Sequence, residues 1–470
     1  MISLADAIIH GDQDLVSKVA SSYETLEYID EYGYTPLVQA AIVDDIDKLN
    51  VLLGLGADPD FEDLTGRTAL HWAADNGNVA IAEALLARKA NPNHFTSAAE
   101  PVLALPLLRE QADFVHLLTS SGGDKCFAND YINAKLVGHR FQLRGHVDIY
   151  NLSRNELVEV EYEGFYPEFT LRLIGDSLAQ YLRNYAARDL RDYFPLLKKI
   201  HQCFQQAAQL ARYQQYNVKR AKVEQEINQL LSGAMVFAPV SFKGHAIALL
   251  QSGDMFVRCD RGAYGRENGT VIVYRTKSKQ HLTPSFYKQY LYEHNTLEQV
   301  NEELEKLAGL QRVAVLDLPA QITGNCAWAN MEAAVPGLLF MQLWQENMAN
   351  PVLDMPDLGR QALAIYDHWL RWDQDRALEN EVRLLEESQS ARQLGKVALL
   401  CAILFQHIDY HDERQLAQAG YILKAIAKPE YQYVLQQYYY HFVVKHHHPY
   451  GTNLMELLDY FGIDTKSWGI

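Results

Sequence analysis

RTALHWAA, residues 67–74, recurs in outline as YTPLVQAA at 34–41 and as EPVLALPL at 100–107, which places Leu37, Leu70 and Leu103 33 residues apart. Subtracting 33 once more reaches Leu4 in SLADAIIHGD. Each unit continues into a Leu-Leu pair at helical spacing: Leu52-Leu53, Leu85-Leu86 and, displaced by one, Leu117-Leu118. A fixed period of this length means one supersecondary unit stacked on copies of itself, because a lone helix pair has nothing to bury its apolar face against. About four units are expected over residues 1–125, the last degenerate through Pro101 and Pro106.

Thr68, Leu70, His71, Ala73 and Ala74 match the T-x-L-H-x-A signature of ankyrin repeats. That resemblance implies a turn followed by two antiparallel helices in each unit, with recognition at the concave face and the turn tips. His71 is read as architecture, its ring bonded to the neighbouring turn. The tip residues Asp63, Leu64, Thr65, His94, Phe95 and Thr96 are the protein-binding candidates.

Outward from the repeats, the chain has 470 residues, enough for two or three domains, with 48% apolar and 21% charged residues. A net charge of −17 argues against contact with nucleic acid or an anionic membrane, since phosphate binding needs a basic surface. Protein or small-molecule partners fit better. The five cysteines, Cys126, Cys203, Cys259, Cys326 and Cys401, are scattered and never form C-x-x-C, so neither a disulfide framework nor a zinc knuckle is indicated. MISLADAIIHGDQD lacks the basic region of a Sec signal, and the most apolar runs are too short to span a bilayer. A reducing cytosolic or nuclear setting is expected.

Beyond residue 125 come the apolar runs KLVGHRFQL and ELVEVEYEGF, the second alternating as a strand does. Residues 171–232 read as helical, ending in a long polar-faced helix, RYQQYNVKRAKVEQEINQLL. HAIALL, MFVRCD and TVIVYR then read as strands, residues 286–309 as a charged helix, and RVAVLDL as a strand. From about 352 the chain is helical again. The expected fold class is multidomain α+β: an ankyrin array at 1–125, a central domain at 126–350, and a C-terminal helical cap at 351–470.

The central domain holds the candidate chemistry. In KGHAIALLQSGDMFVRCDRGAYG, residues 243–265, a two-residue turn at Ser252-Gly253 sets His245 directly opposite Asp260. A carboxylate beside an imidazole fixes its tautomer and orientation, as a general base requires. Asp254 is a turn residue. In PAQITGNCAWANMEAAV, residues 319–335, Asn325 reads as the N-cap of a helix running to Pro336, with Cys326 in its first turn. Unpaired N–H groups and the helix dipole there stabilise a thiolate. Gln321, five residues upstream, would share oxyanion binding with the Cys326 N–H. Trp328 reads as core, Cys259 faces the other side of its strand, and Cys203 and Cys401 are packing residues. His139 is structural, and His446-His447-His448 is a solvated helix end. No metal and no cofactor are called for.

The segment GNCAWAN behind a glutamine resembles the nucleophile helix of papain-fold cysteine proteases. The order His245, Asp260, Gln321, Cys326 is similar to clan CE, which includes SUMO and ubiquitin-like proteases and YopJ-type acetyltransferases. The likeness covers about residues 240–345; a Gln-to-Cys gap of five and a helical insertion ahead of His245 depart from it. It implies a papain-like cysteine protease-like domain: Cys326 as nucleophile, His245 as base, Asp260 as orienter, Gln321 as oxyanion donor, and a peptide or ubiquitin-like substrate. The whole order of parts resembles the ankyrin-bearing effectors that Legionella injects into host cells by type IV secretion. That resemblance implies a host-protein partner on the repeats, residence in the host cytosol or nucleus, and a secretion signal near DYFGIDTKSWGI. Two other functions stay open. One is acyl transfer with acetyl-CoA bound near Lys219, Arg220 and Lys222; the other is a catalytically silent ankyrin scaffold.

Overall fold

Helix pairs recur along the first 120 residues of the computed structural model, which describes residues 2–215, 220–349 and 352–469. They are α1 (Leu4–His10) with α2 (Gln13–Ala20), α3 (Pro36–Ile42) with α4 (Ile46–Gly54), α5 (Ala69–Asn76) with α6 (Val79–Ala87), and α7 (Ala104–Leu108) with α8 (Ala112–Ser120). The leucines that define the period, Leu4, Leu37, Leu70 and Leu103, are all buried in one continuous core with Leu52, Leu85 and Leu118. Thr35 caps α3 by accepting from the Val38 N–H, with Pro36 at the first position, where its missing N–H costs nothing. In the fourth unit the prolines shorten α7 to five residues.

The turns are pinned by one device. Asp30 Oδ1 accepts from the N–H groups of Tyr32 and Tyr34; Asp63 Oδ1 accepts from those of Thr65 and Arg67; Thr96 Oγ1 accepts from those of Ala98 and Glu100. The second carboxylate oxygens take Gln39 Nε2 and Trp72 Nε1, again one period apart. Such side-chain to backbone bonds two and four residues ahead close a turn without a ladder.

The chain forms two compact units: Met1–Leu136 with His146–Glu161 and Ser390–Gly395, and Val137–Gly145 with Tyr162–Gln389 and Lys396–Ile470. The first holds the repeats, the start of α9 (Lys125–Arg140), and an antiparallel ribbon of β1 (His146–Asn151) and β2 (Glu156–Glu161). The run KLVGHRFQL is therefore mostly helix, and ELVEVEYEGF supplies β2 as its alternation predicts.

The second unit carries α10 (Pro167–Tyr181), α11 (Phe194–Arg212) and α12 (Arg220–Leu231) ahead of a five-stranded antiparallel sheet. Its strands, β3 (Met235–Phe242), β4 (His245–Ser252), β5 (Met255–Cys259), β6 (Val271–Thr276) and β7 (Leu310–Leu316), lie side by side in chain order. The strand β3, not foreseen in the sequence, contains Pro239, and it sits at the sheet edge where a missing N–H is tolerated. Between β5 and β7 lie α13 (Ala263–Asn268), α14 (Pro284–Tyr292) and α15 (Leu304–Leu307); beyond β7 come α16 (Cys326–Glu332) and α17 (Ala334–Ala349). One sheet face packs Ile247, Leu249, Phe256 and Ile272 on Tyr287, Tyr290 and Val300; Leu250 and Val257, on the other face, meet α17 at Gly337. Burial on both faces explains why residues 246–250 of β4 are apolar without a break.

Three helical expectations are corrected. The helix expected over 212–231 ends at Arg212 and resumes at Arg220, residues 216–219 lying outside the described residues. The charged helix over 286–309 breaks after Tyr292, where Asn295 Nδ2 takes the carbonyls of Tyr290 and Glu293 and shares that of Gln289 with the Glu293 N–H. The Cys326 helix stops at Glu332, and Pro336 falls in the first turn of α17 rather than at the break. The C-terminal helices are α18 (Met355–Glu387), α19 (Ser390–Gln406), α20 (Glu413–Ile426), α21 (Gln432–Tyr439) and α22 (Pro449–Tyr460).

Candidate active site

The turn between β4 and β5 is Gly253-Asp254, not Ser252-Gly253: Ser252 pairs with Met255 and Ala248 with Cys259. Gly253 takes φ +61°, the left-handed setting favoured at the first central position of a tight hairpin. The Asp254 carboxylate is held by Arg275 Nε at 2.8 Å. Extending the ladder, His245 faces Gly262, and Asp260 stands one residue past the end of β5 as its diagonal neighbour. An even shift keeps both side chains on one face, and the pair forms: His245 Nε2 lies 3.0 Å from Asp260 Oδ1. Asp260 is buried, and its carboxylate also accepts from the Gly262 N–H at 3.0 Å and from Arg258 Nη2 at 2.9 Å.

Cys326 is the first residue of α16 and half-buried. Asn325 occupies the cap position but does not cap with its side chain. Its Oδ1 lies 2.5 Å from His139 Nδ1, and the His139 ring stacks on Trp328, which is buried as expected. His139 is thus structural. The thiol donates to the Gly244 carbonyl at 3.9 Å, and the His245 ring with the Ala246 and Ala327 N–H groups is near enough to act on its charge. With Nε2 committed to Asp260, Nδ1 is the ring nitrogen left for the thiol.

The charges follow from these contacts. Burial works against a charged imidazole, but Asp260 and the Cys326 sulfur outweigh it and raise the His245 pKa to about 9. Burial likewise opposes the Cys326 thiolate, and His245 with the two N–H groups reverses the balance, so the thiol pKa is lowered. Asp260, despite desolvation, is held at about 2 by His245 and Arg258. The two shifts together favour a thiolate–imidazolium pair over the neutral pair. Cys203, Cys259 and Cys401 are pushed the other way by burial and are inert by comparison.

A cleft of about 590 Å³ is lined by Cys326, His245, Asp260 and Gln321, with Tyr264 and Ile322 among its walls. The four residues singled out in the sequence are brought together there. Three partners were missed. Arg258, 1% exposed, bonds Asp260, the Val300 carbonyl and Asn301 Oδ1, and it lies two residues before Asp260 on one strand face, a legible spacing. Gly262 flanks the pair so closely that an added Cβ would fall 2.8 Å from His245 Cε1. Asn330, fully buried behind Cys326, bonds Gln321, and no sequence signal marks it.

The repeat tips are corrected in part. Asp63 and Thr96 are the buried turn pins, and His94, also buried, bonds Glu62 Oε1 and meets the His71 ring edge to face. Phe95 packs on Phe127 beneath the Arg154 guanidinium. Leu64, 76% exposed, and Thr65 remain available. His71 meets its expectation, bridging Thr68 and the Glu100 carbonyl of the next unit, and burial lowers its pKa to about 3. Among the described residues one group has metal-ligand chemistry, His146, Asp148 and Glu159 on the exposed face of the ribbon. Of the basic cluster read as an acetyl-CoA candidate, Lys219 lies outside the described residues and Arg220 is engaged with the Tyr292 carbonyl. No described helix is long and apolar enough to cross a membrane.

Comparison with known proteins agrees with the two parts of the chain. A family profile described as ankyrin repeats matches residues 4–96 and 37–130, and one described as Dot/Icm T4SS effector AnkD/LegA15 matches residues 166–357. Inversins match over a short stretch: that of Gallus gallus is 38% identical over 86 residues, and that of Danio rerio 36% over 85. Each match spans 18% of this chain but 8% of the inversin. The solved structure of the Legionella effector AnkH superposes with a TM-score of 0.84 and 35% identity, covering 99% of this chain and 98% of that one. With likeness of that degree running along nearly the full length of both chains, the protein belongs to the family of type IV-secreted Legionella ankyrin effectors that includes AnkH.

Proposed function

We propose that the protein is an effector acting in the host cell, docked on a host protein by its repeats and hydrolysing peptide or isopeptide bonds at a papain-like site of clan CE type. In this reading residues 1–125 recognise the partner, 126–350 carry the chemistry, and 351–470 cap the catalytic part. The carrying observation is the convergence of Cys326, His245 and Asp260 in one cleft, with the thiol pKa lowered and the imidazole pKa raised.

The Cys326 sulfur attacks the scissile carbonyl carbon, and the C=O electron pair moves onto oxygen. Gln321 Nε2 and the Cys326 N–H bind that oxyanion. The imidazolium proton of His245 goes to the leaving nitrogen as the C–N bond breaks, leaving a thioester. Neutral His245 then removes a proton from water as its oxygen attacks the thioester carbon, and the thiolate leaves as the acid product forms. Asp260 keeps the ring aimed throughout.

A cysteine-directed electrophile, with labelling read at the Cys326 peptide by mass spectrometry, tests the proposal. Wild type should label rapidly near neutral pH and His245→Ala should not. Equal labelling of the two would end the case for an activated thiol.

A further inference from the structure

Asn330 is fully buried one helical turn beyond Cys326, and its side-chain amide is completely used. Its Oδ1 accepts from the Arg261 N–H at 2.6 Å; its Nδ2 donates to the Ala246 carbonyl at 2.6 Å and to Gln321 Oε1 at 3.0 Å. Ala246 adjoins His245, Arg261 adjoins Asp260, and the Gln321 N–H itself donates to the Arg261 carbonyl at 2.9 Å. One carboxamide therefore ties together the three segments that present the base, the acid and the oxyanion donor.

We propose that Asn330 is a positioning residue that sets which end of the Gln321 amide faces the cleft. A backbone N–H can only donate, so Arg261 fixes Asn330 with its oxygen toward that N–H and its amino group toward Ala246 and Gln321. Reversal would set oxygen against oxygen at Ala246. The amino group of Asn330 in turn requires an acceptor, which fixes Gln321 with Oε1 inward and leaves Nε2 as the end offered to the cleft. Without that constraint Gln321 could present its carbonyl, which repels an oxyanion. Orientation thus passes from a backbone donor through a buried amide to the group that meets substrate. This inference rests on the reading of Cys326 as a nucleophile.

The test separates two reactions of one thiol. Alkylation by iodoacetamide needs the thiolate but no oxyanion site; acylation by p-nitrophenyl acetate needs both. In Asn330→Ala, acylation should fall about tenfold or more, and in Gln321→Ala about 100-fold, the usual cost of one oxyanion donor. The double variant should be no slower than Gln321→Ala, and Cys326 alkylation and its pH profile should hold in all three. Gln321→Glu keeps an acceptor for Asn330 but has no amino end; it should lose acylation as Gln321→Ala does, which keeps the question open to test if Asn330→Ala fails to fold. Additive losses in the double variant, or wild-type acylation by Gln321→Glu, would overturn the positioning role. So would a wild type that alkylates fast yet acylates no faster than Gln321→Ala. Alkylation of wild-type Cys326 no faster than that of the exposed Cys126 is a different failure, that of the nucleophile itself.

Discussion

Replacing Asp260 with Asn leaves the shape of the side chain and removes its charge. Oδ1 accepts from His245 Nε2 and the Gly262 N–H while Oδ2 accepts from Arg258, so an amide can satisfy only one side. Keeping its oxygen toward His245 and Gly262 preserves two bonds but turns an amino group toward the Arg258 guanidinium. The imidazolium then keeps only the Cys326 sulfur as counter-charge. With a pKa of about 9, the ring is about 97% protonated at pH 7.5. Were the ring to fall all the way to its ordinary 6.5, it would be about 9% protonated at that pH. The Cys326 sulfur also raises the ring, so the thiolate–imidazolium population should drop by up to about tenfold.

The assay is the rate of Cys326 alkylation by iodoacetamide between pH 5 and 10. Wild type should react well below the ordinary thiol range, and Asp260→Asn should lose up to about tenfold at pH 7.5 with its profile displaced upward. An unchanged rate and profile would refute the assignment of Asp260 as the group that holds the proton on His245. Stability follows the same linkage. His245 is raised in the folded state, so its contribution is complete below about pH 6.5 and is lost as pH rises through about 9. Asp260 is depressed, so its contribution is present above about pH 3.8 and is lost as pH falls toward 2. His245→Ala should flatten the alkaline limb in denaturant titrations, and a limb that persists would assign it to other groups.

Gly262→Ala places a methyl group 3.0 Å from Asp260 Oδ1 and 2.8 Å from His245 Cε1; labelling of Cys326 should fall toward that of His245→Ala while far-ultraviolet circular dichroism is unchanged, and retained labelling would show that the pair has room to yield. Arg258→Met removes a buried cation from a carboxylate and two further acceptors, and denaturant unfolding should show a loss of about 3–5 kcal/mol; a loss under about 1 kcal/mol would mean that Asp260 does not depend on it. Asp63→Ala strips a turn of four hydrogen bonds and should cost about 2–4 kcal/mol, whereas Leu64→Ser beside it should stay within about 0.5 kcal/mol because the side chain is 76% exposed. Equal effects at the two positions would contradict the division of that tip into pin and surface.

The repeats were legible because a period of 33 residues writes the same burial requirement several times over, and errors at one copy are outvoted by the others. The same periodicity extends to the turns. Asp30, Asp63 and Thr96 are spaced like the leucines, and a polar residue recurring at one turn position signals a bond to the turn's own backbone before it signals a partner. Asn325 failed as a cap for a related reason. Its side chain suits a helix N-terminus, but His139, distant in sequence, offers a bond that competes for the same oxygen. Nothing local reveals such a competitor. Asn295 ending α14 and Asn330 behind the cleft are illegible for the same cause: an amide bonds in many contexts, and only the fold says which carbonyls are within reach.

The His245–Asp260 pair shows which part of a strand pattern carries information. The turn was misplaced by one residue, which changes the sum of paired positions by two and turns His245 and Asp260 from direct opposites into diagonal neighbours. Had the ladder slipped by a single position instead, Asp260 would have exchanged faces with Cys259, whose sulfur lies against the Ala333 carbonyl, and the carboxylate would not reach the His245 ring. Face is enforced at every residue of β4 and β5 by burial, since Ile247 and Leu249 belong to one core and Leu250 to the other side. Register is enforced only at the turn, by Gly253 and the bonds of Asp254. A site that needs two side chains on one face therefore tolerates error in the weakly encoded quantity. The diagonal arrangement also puts Asp260 beyond the last ladder pair, where its backbone N–H bonds Thr270 and its carboxylate reaches back to the ring, so that the acid is aimed by the loop that follows the strand.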